Sequence, residues 1–443
     1  MLKTISLENF KLHTSTKIDT ARLTVFIGPN NSGKSSIFQA ILTLRQAASR
    51  AQAHYLNPGV RRQQTSEEQP YLYAAEQQID LGSFEDVIHS GQSEIRIGLE
   101  GGITESDVDF GGERGISLQV GVRNNAIDHH MGRIEFHVAS MGLRDVLAWN
   151  WSQGVPQQEP RANPVLVRES QLYFQSQGNF QFLSAAGSAA APNLSPSDSA
   201  MLSAFSTSLA RTPVSFLNSF RAVYALRGLE ESGYPLTAGP ESGLDRMMLA
   251  DRTLALLSIF AYKNEVLDRV SAWLENLLGV RVRIKLTPPK RVTLICQSVP
   301  SKPGMGLFSN EGTGAGQLPF ILVPIALAAP GESVMISEPE VHLHPKAQSE
   351  LARLFVKIAD RDKKQFLIET HSEHVLNALL NSVAKGDVGK EDLAIHYFEP
   401  QGGTVEIRRL EVDSHGRVEG GLPGFFDQSL SELTEYLETL KKK

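Results

Sequence analysis

The sequence contains very little cysteine. Cys296 is the only one among 443 residues, which excludes an intrachain disulfide and a metal site built from several cysteines. A single cysteine is typical of a small apolar core residue, so we expect Cys296 to be buried. Long apolar runs are equally scarce. The longest, at 318–329, is interrupted by Pro324 and is too short to span a bilayer.

A strong excess of charge of either sign is also missing. The formal net charge is −6, with 21% charged and 41% hydrophobic residues, a globular composition with enough apolar side chains for two or three cores. This excludes a chain that is basic throughout, although it leaves room for a local basic surface. The first residues, MLKTISLENF, lack the basic-then-apolar pattern of a secretion signal. We expect a cytoplasmic protein that makes no membrane contact.

The order of predicted elements indicates an α/β protein with a long insertion. Alternating apolar residues predict strands over the first thirty positions, followed by a helix and then by several strand-like pieces. Near 152–212 the composition shifts to Gln, Ser, Ala and Pro, which is typical of an extended or mobile segment. A helical pattern follows at 244–279, and an α/β rhythm returns in the final third. We predict an N-terminal lobe at 1–100, an insertion at 101–300 and a C-terminal lobe at 301–443.

The stretch GPNNSGKSS, residues 28–36, fits the phosphate-binding pattern G-x-x-x-x-G-K-[ST] at every fixed position. An apolar strand precedes it and a helix follows, so backbone N–H groups and a helix N-terminus can cradle phosphates. In this pattern Lys34 reaches the β- and γ-phosphates and the Ser35 hydroxyl binds Mg²⁺. The predicted phosphate-binding residues are Gly28, Asn30, Asn31, Ser32, Gly33, Lys34, Ser35 and Ser36.

Three later motifs complement this loop. SVMISEPEVHLHP at 333–345 is an apolar strand ending in acids, where a metal and an attacking water can be handled. FLIETHSEHV at 366–375 is a second apolar strand, and a histidine at its end can reach the γ-phosphate. NEGTGAGQLPFIL at 310–322 opens an apolar helix with a glycine turn, a second phosphate-binding N-terminus. One nucleotide cannot easily occupy both, so we expect two chains to meet head to tail across two nucleotides.

The order of these motifs resembles the ABC-type P-loop ATPase heads of the RecF/SMC and OLD (overcoming lysogenization defect) class. ENFKLHT at the start, SEPEVHLHP and ETHSEH are similar to the OLD-type group, and DSHGRVEGGLPGFFDQ resembles a C-terminal extension of some bacterial members. The motifs cover about the first 50 and the last 135 residues. The resemblance implies an α/β ABC-type head with a β-rich and helical insertion, ATP and Mg²⁺ as cofactors, and a homodimer or higher homo-oligomer.

The resemblance also implies roles for individual residues. Glu338 would polarise the attacking water and His371 would act as the switch histidine. Lys11 would lie over the nucleotide's base or phosphates, and His344 would cross the dimer interface. The signature turn, which closes on the partner's γ-phosphate, would be formed by Gly312, Gly314 and Gln317.

The chain departs from the pattern of this class at two positions. Ser337 stands where an acid on the metal side usually precedes the catalytic glutamate, and Gly316 stands where the signature usually has a serine. We therefore expect slow hydrolysis, with Mg²⁺ held by Ser35 and Ser337. The glutamine loop has no clear match, and its candidates are Gln77, Gln78 and the LGSFED segment.

Two further clusters allow more than one interpretation. His342, His344 and Glu340 have the spacing of some metal sites, but after an apolar strand ending in acids they are better read as loop and interface residues. The strand VRVRIKL predicts an exposed basic face. This face would be either simply solvated or in contact with DNA phosphates, and its residues are Arg281, Arg283 and Lys285.

The expected function is an ATP-driven switch. The resemblance implies the ATPase sensor of a bacterial anti-phage defence system, acting on a partner nuclease or toxin, with a RecF-like repair ATPase as the alternative. A non-hydrolysing nucleotide-binding scaffold stays open, whereas the long insertion argues against a transporter subunit. About 70 residues follow His371, fewer than an independent domain usually needs and without a D-x-D pair. We therefore expect a stand-alone AAA-type ATPase without a nuclease domain.

Overall fold

The computed structural model describes much of the N- and C-terminal parts and less of the region between them. It covers residues 1–56, 81, 84–105, 112–123, 126–138, 143–152, 174–175, 184–185, 215–223, 234–235, 249–287, 291–298 and 306–421. The polar segment predicted near 152–212 lies outside the described residues, apart from five positions in strands.

Strands form over the first thirty residues and at the other predicted positions, and further strands form where none was predicted, such as 393–401 and 404–410. The first seven are β1 (Leu2–Phe10), β2 (His13–Asp19), β3 (Leu23–Ile27), β4 (Ile95–Glu105), β5 (Gly112–Arg123), β6 (Ala126–Val138) and β7 (Leu143–Ser152). The next seven are β8 (Phe174–Gln175), β9 (Ser184–Ala185), β10 (Phe220–Val223), β11 (Tyr234–Pro235), β12 (Val280–Thr287), β13 (Arg291–Ser298) and β14 (Gly306–Leu307). The last four are β15 (Ser333–Ser337), β16 (Gln365–Glu369), β17 (Leu393–Gln401) and β18 (Thr404–Leu410).

Helices separate the strands of the two terminal parts. They are α1 (Lys34–Leu56), α2 (Phe84–Val87), α3 (Leu249–Tyr262), α4 (Asn264–Leu278), α5 (Thr313–Leu327), α6 (Pro345–Arg361) and α7 (Glu373–Ala384). The helical pattern at 244–279 forms two helices rather than one, because Lys263 leaves helical geometry with φ −121° and ψ 81°. Within the part of the chain that is described, no helix combines the length and apolar character needed to cross a membrane.

One six-stranded sheet carries the predicted motifs. Its order is β10–β15–β16–β3–β17–β18, and every neighbouring pair is parallel except β17 and β18. The strand that precedes the phosphate loop, β3, lies between β16 and β17, so β16 separates it from β15. The carboxyl ends of parallel strands meet at one edge of a sheet, which is where ligands bind in α/β folds. The three motifs therefore converge at that edge.

A second six-stranded sheet has the order β2–β1–β4–β5–β6–β7 and is antiparallel throughout. It joins the start of the chain to the predicted insertion, and β4 runs across the predicted boundary at residue 100. The mixed α/β fold and the β-rich insertion are confirmed, while the three domain limits stay a prediction.

Apolar cores cover both faces of the central sheet. Successive side chains of a strand point to opposite faces, so Val25 and Ile27 join one buried cluster while Phe26, between them, joins the other. Cys296 is 1% exposed in the first of these cores, which confirms its predicted burial. Packing on both faces fixes the strand ends, and with them the residues at the edge of the sheet.

Candidate functional site

The loop between β3 and α1 depends on two glycines. Gly28 has φ 144° and Gly33 has φ 91°, backbone conformations that L side chains rarely adopt. A Cβ atom on Gly28 would lie 2.4 Å from the carbonyl oxygen of Phe398 on β17, so no side chain fits there. The loop packs directly on the neighbouring strand.

Lys34 is buried inside this loop. Its ammonium donates hydrogen bonds to the carbonyl oxygens of Gly28 and Pro29, at 3.1 and 2.7 Å, and to Ser32 Oγ at 3.3 Å. Burial lowers the pKa of Lys34, while nearby glutamates, chiefly Glu369, favour the charged form. All three acceptors are neutral, so the ammonium can exchange them for the negatively charged oxygens of a phosphate, which form stronger hydrogen bonds with it.

The other predicted loop residues fall in the same turn. Asn30, Asn31 and Ser35 are exposed, whereas Ser32 and Ser36 are buried. A serine that binds a metal beside bound phosphates has to be accessible, and Ser35, at the start of α1, is accessible.

His13 supports this loop and was missed at the level of the sequence. It is fully buried, with Nε2 3.0 Å from the Gly33 carbonyl oxygen and Nδ1 3.0 Å from Thr16 Oγ1. Because a carbonyl only accepts, Nε2 must carry the proton and Nδ1 accepts from the hydroxyl. His13 lies in the stretch KLHT. That stretch contributed to the family resemblance but did not by itself indicate a residue that supports the loop.

We predict that acid weakens the fold through His13 and through His396, a second buried histidine. Burial lowers the pKa of each to about 4, so the folded chain holds them neutral while the unfolded chain binds protons below about pH 6.5. Stability is therefore present above pH 6.5 and is lost as the pH falls, by about 2 kcal/mol per histidine at pH 5.

Urea unfolding at pH 7 and pH 5 measures this loss. His13→Asn should be less stable at pH 7 but lose less than the wild type between the two pH values. His374→Asn, at an exposed position, is the control and should follow the wild type. Equal losses in the His13 variant and the wild type would contradict the prediction.

Lys11, the other predicted nucleotide contact in this region, turns toward α1. Its Nζ donates to Gln39 Oε1 at 2.6 Å, and burial lowers its pKa. Its backbone, at φ 53°, is tied to the segment after α2 by hydrogen bonds with Val87 and His89. A contact between Lys11 and the nucleotide stays a prediction.

Glu338 and His371 lie together at the ends of adjacent strands. The Glu338 carboxylate is 4.0 Å from His371 Nε2. Glu338 adopts φ 47° and its N–H donates to the Glu369 carbonyl oxygen at 2.8 Å; such strained residues cluster at functional sites. The pKa of His371 is lowered by burial first and then by Lys34, and is raised by Glu338. The predicted base and switch histidine thus lie side by side at the edge of the sheet.

The loops that carry these two residues are joined by hydrogen bonds. Glu340 Oε1 accepts from the His371 N–H at 2.7 Å. Gln348 donates to the Leu343 carbonyl oxygen at 2.8 Å and accepts from the Ser372 hydroxyl at 2.6 Å. This network fixes the position of the histidine relative to the loop after β15. Through Oε1, Glu340 also takes part in this network.

Ser35, the predicted metal ligand, contacts a carboxylate that the sequence analysis passed over. Its hydroxyl donates to Glu369 Oε1 at 2.5 Å. Burial raises the pKa of Glu369, and the hydrogen bond from Ser35 lowers it. Within the described ranges, no group of three or more His, Cys, Asp or Glu side chains could hold a metal by itself. The site fits a metal bound mainly by phosphates, as Mg²⁺ usually is.

The predicted signature residues surround the start of α5. Gly312 is exposed, with φ 91° and open space around its Cα. A Cβ atom on Gly314 would lie 2.4 Å from the His342 carbonyl oxygen, so this turn packs on the loop after β15 in the same chain. Gly316 and Gln317 are buried. Only the first residues of the turn are therefore accessible to a partner.

The remaining candidates are distributed over the surface. His344 is exposed and caps α6, with Nδ1 accepting from the Lys346 N–H at 3.3 Å. The basic face of β12 is exposed as predicted, and Arg281 pairs with Glu275 at 2.8 Å. Gln77 and Gln78 lie outside the described residues, whereas part of LGSFED forms α2.

A comparison with protein families agrees with this geometry. Residues 1–100 and 307–376 match the AAA ATPase domain family, so the match lies on the two terminal parts of the chain, which carry the predicted motifs. Residues 388–435 match a family described as a protein of unknown function, DUF3696. No curated protein matches the chain.

Solved structures of SMC heads are similar at 13% identity. The SMC head domain from Thermotoga maritima has a TM-score of 0.42, with 93% of this chain and 99% of that chain covered. An SMC head bound to the C-terminal winged-helix domain of ScpA has a TM-score of 0.46, with 93% and 98% covered. A head with an extended coiled coil, bound to the C-terminal domain of ScpA and derived from Pyrococcus furiosus, has a TM-score of 0.41, with 99% of both chains covered.

Proposed function

We propose that the protein binds and hydrolyses ATP and uses the reaction as a conformational switch. The observation that carries this proposal is the position of Glu338. Its carboxylate lies 4.0 Å from His371 Nε2, at the edge of the sheet where the Lys34 loop also ends. A base, a histidine and a phosphate loop on neighbouring strand ends are what hydrolysis of a γ-phosphate needs.

Each group has a distinct task in this proposal. Lys34 and the backbone N–H groups of its loop bind the β- and γ-phosphates. Glu338 accepts a proton from the attacking water as a general base. Burial and Lys34 lower the pKa of His371, and its ring can donate a hydrogen bond to the γ-phosphate. Mg²⁺ bound with the nucleotide would neutralise charge that develops on the phosphates.

We infer that two chains close on two nucleotides. Gly312 and Thr313, at the start of α5, are exposed, and α5 has no acidic residue in its first turn and no side chain capping its N-terminus. The exposed N–H groups of such a helix can bind a partner's γ-phosphate. His344 is exposed next to the same loop, so it can take part in the contact between the two chains.

Phosphate release from ATP tests the reaction. The wild type should release phosphate slowly with Mg²⁺ and show no release with EDTA. Binding of ATP without any release would instead support the non-hydrolysing scaffold.

We further propose that this switch regulates an effector in a bacterial anti-phage defence system. The proposal rests on the resemblance of SEPEVHLHP and ETHSEH to OLD-type heads. Co-expression with the neighbouring gene product should give a stable complex, and protection against phage should disappear with Lys34→Ala. A deletion strain that is sensitive to DNA damage and unchanged toward phage would support the RecF-like alternative. In that case the basic face of β12 is the first candidate for DNA contact.

A further inference from the structure

The strand that should supply an acid to the metal ends in a serine. Ser337, the last residue of β15, stands where the catalytic glutamate is usually preceded by a carboxylate. In the parallel pairing of β15 with β16, Ser337 lies directly beside Glu369, and Glu369 lies beside Phe26 at the end of β3. Glu369 therefore places a carboxylate beside Ser337. It does so on β16, the strand next to β3, which leads into the phosphate loop.

Glu369 is held by the residue that is expected to bind the metal. Ser35 Oγ donates to Glu369 Oε1 at 2.5 Å, and the Ser337 hydroxyl also hydrogen-bonds to this carboxylate. With its proton directed to Glu369, Ser35 keeps its oxygen lone pairs for a cation. The two serines thus hold Glu369 and leave Ser35 correctly oriented as a ligand.

The second oxygen of Glu369 lacks a hydrogen-bond donor. Glu369 is 3% exposed, and Oε2 is buried without a hydrogen-bond partner among the described residues. Leaving a buried carboxylate oxygen unpaired is costly. A cation or a water bound to a cation would satisfy it, and Mg²⁺ is usually held by one or two carboxylates, waters and substrate phosphates.

We propose that Glu369 is the carboxylate that holds Mg²⁺ with ATP in this chain, in place of the acid that Ser337 does not supply. It orients the Ser35 hydroxyl with one oxygen and offers the other to the cation or to a water bound to it. The proposal rests on the proposed ATP binding and adds a residue to it.

The experiment measures the affinity for a fluorescent ATP analogue in EDTA and in Mg²⁺, without any turnover. The readout is the ratio of the two dissociation constants. We expect Mg²⁺ to tighten binding in the wild type, and Glu369→Gln to reduce this gain by about tenfold or more, the usual effect of losing a group around a metal. Binding in EDTA should not weaken, because the variant removes a negative charge near the phosphates.

Two further variants make the result specific. Ser337→Asp combined with Glu369→Gln restores a carboxylate on the neighbouring strand and should recover most of the Mg²⁺ gain. Glu350→Gln, on α6 and paired with Arg353, is the control and should keep the wild-type ratio.

Three other outcomes would contradict the proposal, and each has a different interpretation. A wild-type ratio in Glu369→Gln would mean that Glu369 does not bind the metal or a water bound to it. Equal weakening in EDTA and Mg²⁺ would mean that it acts through the loop or Lys34. Absence of nucleotide binding by the wild type in both conditions would remove the proposed function itself.

If Glu369→Gln does not fold, the Ser337→Asp variant by itself still tests the proposal. It should change the ratio less than twofold, and a large gain would show that the metal lacked its carboxylate.

Discussion

Glu338→Gln is expected to stop ATP turnover and to leave ATP binding intact. Glutamine has the same size and tolerates the same backbone, including the φ of 47° at this position, but it cannot accept a proton. Loss of a general base lowers turnover by about 10²–10⁴-fold. Because closure requires ATP and opening requires hydrolysis, the variant should accumulate as a dimer with ATP bound.

Phosphate release and sedimentation velocity measure these two effects. Glu350→Gln, on the exposed side of α6 and paired with Arg353, is the control and should behave as the wild type. Identical sedimentation of the Glu338 variant with and without ATP would mean that two chains do not close on the nucleotide. Normal turnover in this variant would assign the base to another residue.

Lys34→Ala is expected to weaken ATP binding by about 100-fold, equivalent to about 2.7 kcal/mol. Lys34 is 3% exposed and its ammonium is held by three loop oxygens, so its removal takes away a cation that the phosphates would contact. Lys34→Met separates charge from packing, because methionine fills the same buried space without a charge. Both variants should lose binding to a similar extent, as measured by titration with a fluorescent ATP analogue.

The outcome for Lys34→Met distinguishes two interpretations. If methionine restored binding, the lysine would act by filling space, and the loop would bind phosphate through its backbone alone. Lys11→Ala gives a useful comparison. Lys11 Nζ is bonded to Gln39, and the loss of affinity in that variant should be smaller than with Lys34.

Local sequence patterns were sufficient to locate the phosphate loop, the acidic strand end and the histidine strand end. Each of these motifs is a continuous stretch whose function depends on its own backbone, such as the glycines around Lys34. Glu369 and His13 were missed for the opposite reason. The contact between Glu369 and Ser35 joins residues 334 positions apart, and it exists only because β16 lies between β15 and β3. Strand order of this kind is set by long-range packing, which no local pattern contains.

The signature turn shows the same limit. The glycine pattern located the start of α5 correctly, but Gln317, one turn into the helix, is buried within its own chain. Helical periodicity in a run that is apolar on every side does not show which residues face a partner. The accessible residues of the turn, Gly312 and Thr313, could be identified only once the helix was packed against its neighbours.

The central claim is that one chain's phosphate loop works with another chain's signature turn. The most direct test mixes two inactive variants. Lys34→Ala damages the loop and leaves the turn intact. Thr313→Glu leaves the loop intact and places a negative charge at the first, exposed position of α5, where it stabilises its own helix but repels a partner's phosphate. Thr313→Gln is the neutral control and should stay active.

Phosphate release by the equimolar mixture is the measurement. Half of the dimers in the mixture contain one chain of each kind, and each of these has one intact site out of two. We therefore expect the mixture to recover about a quarter of wild-type turnover, although each of the two variants is inactive alone. A mixture no more active than the mean of its two components would contradict the claim and place the complete site within one chain.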